Sequence, residues 1–204
     1  VEERLAEIKI TTGEEVIYFA YAHLVVPEGM KFGQPLLLEP FQMAFILSVF
    51  DNPHGARFAY LSVAARNGKT MLLAVILLAY LIGPLAEPNT GLASGATSRE
   101  QAALCFDLMY KILMVSPDCA GLWDAVPSSK KIFGLHLNTK YQALSADAKT
   151  GYGMSFRVLL LDEAARVKGP SSAFTDMLES RQGSYEDALF LTISTQATSD
   201  LDYL

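Results

Sequence analysis

The chain has 204 residues, 51% of them hydrophobic and 19% charged, with a formal net charge of -6. That length suits one well-buried domain, the composition excludes disorder and low complexity, and the acidic balance excludes a protein that coats nucleic acid through many Lys and Arg contacts, though not a ring whose pore alone is basic. Cys105 and Cys119 have neither Cys-x-x-Cys spacing nor a nearby His pair, so they predict reduced, structural thiols and neither a disulfide scaffold nor a zinc site.

Residues 1–38 carry short apolar runs at 16–21 and 23–26, broken by Pro27, Gly29, Gly33 and Pro35, and predict an adaptor segment packed against a main core that spans 39–204. Residues 1–9 are acidic and lack the apolar centre of a signal peptide. Phe41, Phe45, Ile46 and Val49 fall at helical spacing and predict a helix over 40–50, stopped by Asp51-Asn52-Pro53 and Gly55. A strand over 58–63, a polar turn over 65–68 and a long helix from Lys69 to Leu81 follow, closed by Gly83-Pro84. The longest apolar run, 71–86, falls short of the roughly 20 residues that span a bilayer and predicts a buried central helix, with no membrane partner. A strand over 91–96 leads into a helix reaching Val115, with Ser98 as N-cap and Pro117 beyond its end. Further strands are predicted at 131–135, 142–145, 156–161 and 189–194, with a helix over 172–181. This alternation predicts an α/β fold with a mainly parallel sheet flanked by helices on both faces.

Three segments carry chemistry. Gly68-Lys69-Thr70 stands at a strand-to-helix junction, where backbone N–H groups favour phosphate, Lys69 reaches the β and γ phosphates and Thr70 ligates Mg²⁺. The full phosphate-loop pattern is incomplete, since Val63 occupies its first glycine position, and the bland alternative is a turn capped by Thr70. Residues 158–163 form an apolar strand that delivers Asp162 and Glu163 at its C-terminal edge, where ligands bind in open α/β sheets. There Asp162 would hold Mg²⁺ and Glu163 would orient and deprotonate the attacking water; a solvated turn or a helix cap is the alternative. The strand at 189–194 ends in a polar tip, Ser194-Thr195-Gln196, suited to sense a γ-phosphate or simply to make a turn. Arg66, in the loop, is a candidate finger for the charge developing on a transferred phosphoryl group, against the alternative of a solvated loop arginine.

Taken together, Glu39-Pro40-Phe41-Gln42, Ala65-Arg66-Asn67-Gly68-Lys69-Thr70, Thr97-Ser98-Arg99-Glu100-Gln101-Ala102, Leu144-Ser145-Ala146-Asp147 and Leu161-Asp162-Glu163 resemble the motif series of bacteriophage large terminase subunits over residues 36–198. The resemblance implies a P-loop NTPase with a RecA-like core that uses ATP and Mg²⁺ to drive double-stranded DNA into a procapsid. It further implies a homo-oligomeric ring on the portal protein, a small terminase subunit as partner, and the cytoplasm of the infected bacterial host as location. Gln42 would contact adenine; Arg66, Asn67, Gly68, Lys69 and Thr70 would surround the phosphates; Thr195 would lie in the segment coupling hydrolysis to movement. The family's loop arginine commonly lies one place earlier, where this chain has Ala65, and Ala164-Ala165 stands where Ala-His is frequent. A nuclease domain would need sequence beyond Leu204, so the chain is expected to be a fragment that packages without cutting. The competing readings are another DNA-dependent ATPase, such as a helicase-type core, and a nucleotide-binding assembly module that does not hydrolyse. In a ring, Arg99, Arg157, Arg166 or Arg181 are candidates to reach a neighbour's phosphate, and Lys130, Lys131 or Lys149 to face DNA.

Overall fold

The structure is a computed structural model that describes residues 10–64, 66–96, 98–145, 155–162, 176, 178, 180–183 and 185–195. Helix α1 (Thr12–His23) was not foreseen, although Thr11 and Glu14 form a capping box. Glu14 Oε2 accepts the Thr11 N–H at 2.7 Å, and Thr11 Oγ1 accepts the Glu14 N–H at 3.2 Å. Asp51, which ends helix α2 (Pro40–Phe50), accepts from the Gly13 N–H at 2.8 Å and from the Thr11 hydroxyl at 2.7 Å, pinning the start of one helix to the end of the other.

Strand β1 (Phe58–Ser62) feeds the turn before helix α3 (Lys69–Leu81). Every residue of α3 from Leu72 to Leu81 is buried, which makes it the central helix that its unbroken apolar run predicts. Strand β2 (Gly91–Ala96) and helix α4 (Arg99–Val115) follow, and Ser98 caps α4 by accepting the Gln101 N–H at 3.3 Å. Strands β3 (Trp123–Val126), β4 (Lys131–Gly134), β5 (Thr139–Ser145), β6 (Val158–Asp162) and β7 (Leu189–Ser194) complete one seven-stranded sheet, in the order β1-β7-β6-β2-β5-β4-β3. From β1 to β5 all pairings are parallel, and β4 and β3 extend that edge antiparallel. The expected mainly parallel sheet is therefore observed, with β3 as an unexpected addition. Of the helix expected over 172–181, residues 176, 178 and 180 are described and helical; most of the rest lies outside the described residues.

Side chains alternate across the sheet and separate two apolar clusters. Val158, Leu160, Leu189, Leu191 and Ile193 pack with α3 on one face, joined by Val16, Phe19, Ala20, Leu24 and Leu36 from the N-terminal segment. Leu159, Leu161, Phe190 and Ala93 meet Leu178 on the other. Burial on both faces explains why β6 and β7 are apolar without alternation in sequence. Among the described residues no helix is long and apolar enough to cross a membrane.

Candidate functional site

The C-terminal ends of β1, β7 and β6 lie side by side because β7 is inserted between the other two. In register, Ser62 stands beside Ser194, and Asp162 beside Ile193. The ladder runs one residue past β1, where the Val63 N–H donates to the Ser194 carbonyl at 3.0 Å. Val63 thus continues the strand, which accounts for a β-branched residue where the fuller motif has glycine.

After Val63 the backbone turns through two residues with positive φ, Arg66 at 66° and Gly68 at 71°. Gly68 is the N-cap of α3, so the N–H groups of the first turn, beginning with Lys69, point out of the helix toward the strand tips. The Lys69 side chain is buried at 6% exposure and lies along the loop, its Nζ donating to the carbonyls of Val63 at 3.0 Å and Ala64 at 3.2 Å. Both partners are neutral carbonyls, and neither is legible in sequence. Thr70 is partly buried on the same turn; Arg66 and Asn67 are exposed.

Asp162 ends β6 at 7% exposure, and Thr195 follows β7, partly exposed. Glu163, the expected base, lies outside the described residues, as do Gln196, Ala65, Thr97, Asp147, Arg166 and Lys149. Among the described residues no group of three or more His, Cys, Asp or Glu is placed to hold a metal. Thr70 and Asp162 supply hard oxygen donors, the type that suits Mg²⁺, which commonly takes one or two protein oxygens and completes its shell with phosphate and water.

Gln42 reaches this loop from α2. Its Nε2 donates to the Gly68 carbonyl at 2.9 Å, and its Oε1 accepts the Glu39 N–H at 2.8 Å. Two of the charged candidates have partners within the chain. Arg157 precedes β6 at the sheet end away from the site, bound by Glu87 at 2.8 Å and by Asp187 and stacked over Tyr80. Lys130 is held by Asp107 at 2.7 Å and covers the Phe106 ring. A cavity of about 440 Å³ lined by Ile10, Tyr18, Phe19, His23, Gly83 and Leu122 lies at the far end of α3 from Lys69, and none of the site residues borders it.

Comparison with known proteins agrees with this geometry. The sequence matches the family described as terminase large subunit, ATPase domain, over residues 40–200. It is 48% identical over 195 residues to the terminase large subunit of Enterobacteria phage HK97, covering 96% of this chain and 39% of that protein. The crystal structure of the HK97 bacteriophage large terminase matches with a TM-score of 0.90 at 47% identity, over 95% of this chain and 40% of that one. The large terminase ATPase domain of Thermus phage P74-26 matches at a TM-score of 0.62 and 16% identity, over 79% of this chain and 66% of that one, a likeness of fold alone. The chain spans about two fifths of the length of the HK97 protein. A phosphate loop on the tip of a parallel sheet, a family match over most of the residues and close identity to a large terminase place this chain in the terminase large subunit ATPase-domain family, with its P-loop, RecA-like fold.

Proposed function

We propose that this chain binds ATP with Mg²⁺ at the tips of β1, β6 and β7 and hydrolyses it to move double-stranded DNA into a viral procapsid. The observation that carries the reading is the convergence of Lys69, Thr70, Asp162 and the Ser194–Thr195 tip on one end of a parallel sheet, beside the N-terminus of α3. Residues 39–204 form the ATPase core in this reading, and 1–38 the adaptor.

Lys69 leaves the carbonyls of Val63 and Ala64 for the β and γ phosphates, and the first N–H groups of α3 add hydrogen bonds to the same oxygens. Thr70 and Asp162 would hold Mg²⁺, which would supply neutralisation of the phosphate charge. Glu163, next in sequence to Asp162, orients the attacking water and takes its proton. Thr195 senses the γ-phosphate through the tip of β7. Arg66, exposed on the loop, is free to turn toward the phosphates or toward a neighbouring subunit. The portal protein, the small terminase subunit and a ring of copies on the procapsid, in the cytoplasm of the infected host, are the partners and setting that fit this activity.

The test is steady-state Mg²⁺-dependent ATP hydrolysis over a range of protein concentrations, for the native chain, Glu163→Gln and Lys69→Ala. Turnover that each change lowers by at least about 100-fold is expected, and a rise in specific activity with concentration would mark a finger supplied in trans. Tight ATP binding without turnover at any concentration would favour a non-hydrolysing assembly module, and no nucleotide binding would remove the assignment.

A further inference from the structure

Between helices α1 and α2 the chain builds a tight turn that carries apolar side chains into solvent. Four backbone hydrogen bonds close it: the Val26 N–H donates to the Gln34 carbonyl at 2.9 Å, Gly33 to Val26 at 3.0 Å, Phe32 to Gly29 at 3.1 Å and Gln34 to Lys31 at 3.0 Å. Gly29 and Gly33 supply the positive φ values, 80° and 77°, that this path requires. Glu28 ties the turn to α4 through Lys111 at 2.6 Å. On this held backbone Met30 is fully exposed and Phe32 is 61% exposed, with exposed Lys31 between them in sequence. Single exposed apolar residues are ordinary, but two on one braced turn form a knob that loses little backbone freedom when it binds.

The cavity of about 440 Å³ at the far end of α3 has the opposite character. Tyr18, Phe19, Ile82 and Leu122 make its walls apolar, and Glu15 and Asp118 bring carboxylates to it. Tyr18 is itself an exposed apolar residue, so this wall has no cover among the described residues. Asp118 engages His23 at 2.9 Å, whereas among the described residues neither Glu15 nor Lys31 makes an ion pair.

We propose that the turn over 26–34 of one copy of this chain docks in the cavity of a second copy, with Met30 and Phe32 against the apolar walls and Lys31 against Glu15. Convex meets concave, apolar meets apolar, and a cation without a partner meets a carboxylate without one. The charge singles out this occupant: an acidic cavity on a chain of net charge -6 favours an apolar segment that carries a cation, and the turn is such a segment. Knob and socket are different surfaces, so copies add head to tail, or pair where two copies exchange turns. No residue of the nucleotide site takes part, and the contact stands whether or not that site binds ATP.

The test is sedimentation equilibrium without nucleotide, from about 10 µM to about 1 mM, the range that a small interface calls for. The native chain is expected to associate reversibly. Met30→Ser and Phe32→Ser, at exposed positions outside the core, should each weaken association by at least about tenfold, the worth of burying one such side chain. Lys31→Glu and Glu15→Lys should each weaken it about threefold or more by placing like charges together. An equimolar mixture of Lys31→Glu with Glu15→Lys should recover association, since each turn then meets a socket of opposite charge, a result that damaged folding does not produce. A native chain that stays monomeric to about 1 mM would overturn the proposal and leave the knob and the cavity to other partners. Association that survives Met30→Ser and Phe32→Ser unchanged would place the contact elsewhere and overturn it as well, as would a mixture that fails to recover while both charge variants keep the native circular dichroism.

Discussion

Gly68→Ala puts the loop geometry to a quantitative test. Gly68 has φ +71°, a conformation that costs a side-chain-bearing residue about 1–2 kcal/mol. The new Cβ would also press on Gln42 Nε2 at 3.0 Å, and displacing that amide forfeits a hydrogen bond worth about 0.5–1.5 kcal/mol. Gly29→Ala is the matched control, since Gly29 has φ +80° with nothing within 4 Å of an added Cβ, so it carries the backbone cost alone. The entropy that alanine removes from the unfolded chain is common to both and cancels in the comparison. Urea unfolding is expected to show both variants destabilised, Gly68→Ala by roughly 1 kcal/mol more, which at a slope of about 2 kcal/mol/M lowers its midpoint about 0.5 M below that of the control. Equal losses would refute the crowding of Gln42, and a loss below about 0.5 kcal/mol in both would refute the positive-φ argument as well.

Three further outcomes follow from the packing. Arg157→Ala removes a guanidinium that is buried while its partners Glu87 and Asp187 are both 60% exposed and regain water; the expected cost is about 2 kcal/mol, below that of a fully buried pair, and a fall in melting temperature of about 4–8 °C checks it. Burial pushes the Cys105 thiol up to about 12 and the Cys119 thiol up to about 11, so neither should react with a thiol reagent at pH 8 until the chain is denatured. Because the folded state keeps these protons after the unfolded thiols, near 9, have lost theirs, their contribution to stability is full below pH 9 and declines as pH rises toward 12; stability that increases over that window would contradict the assignment. Ser98→Ala removes the cap of α4 and is expected to cost about 1 kcal/mol in urea unfolding, whereas Ser98→Gly should cost only a few tenths.

Local chemistry made much of the protein legible from its sequence. Helix α3 declared itself through an unbroken apolar run from Met71 up to Gly83-Pro84, and β2 and β7 have the expected bounds, β7 through the apolar Leu189-Phe190-Leu191 that a strand buried on both faces favours. Elements whose stability comes from distant partners were harder to see. Strand β3, four residues of alternating exposure, exists by pairing with β4, and β5 begins at Thr139, ahead of the apolar segment, because Thr139 pairs with Gly134. Helix α1 displayed its Thr11–Glu14 cap in sequence, but the broken apolar runs around it hid a helix that Asp51 and the core hold in place.

The same division runs through the site. Gly68-Lys69-Thr70 and Asp162 are legible as candidates from residue type and position at strand ends, since phosphate favours Lys and helix N-terminal N–H groups and Mg²⁺ favours hard oxygens. That they share one edge was decided by strand order, with β7 pairing between β1 and β6, a non-local choice of hydrogen bonds that no sequence window contains. Tertiary structure also turned Gln42 onto the Gly68 carbonyl and tied Arg157 to Glu87 and Asp187 at the opposite end of the sheet. Sequence determined which chemical groups are present and which local conformations they favour; only the folded chain decided which groups meet, because burial and long-range pairing set where each side chain finds its partner.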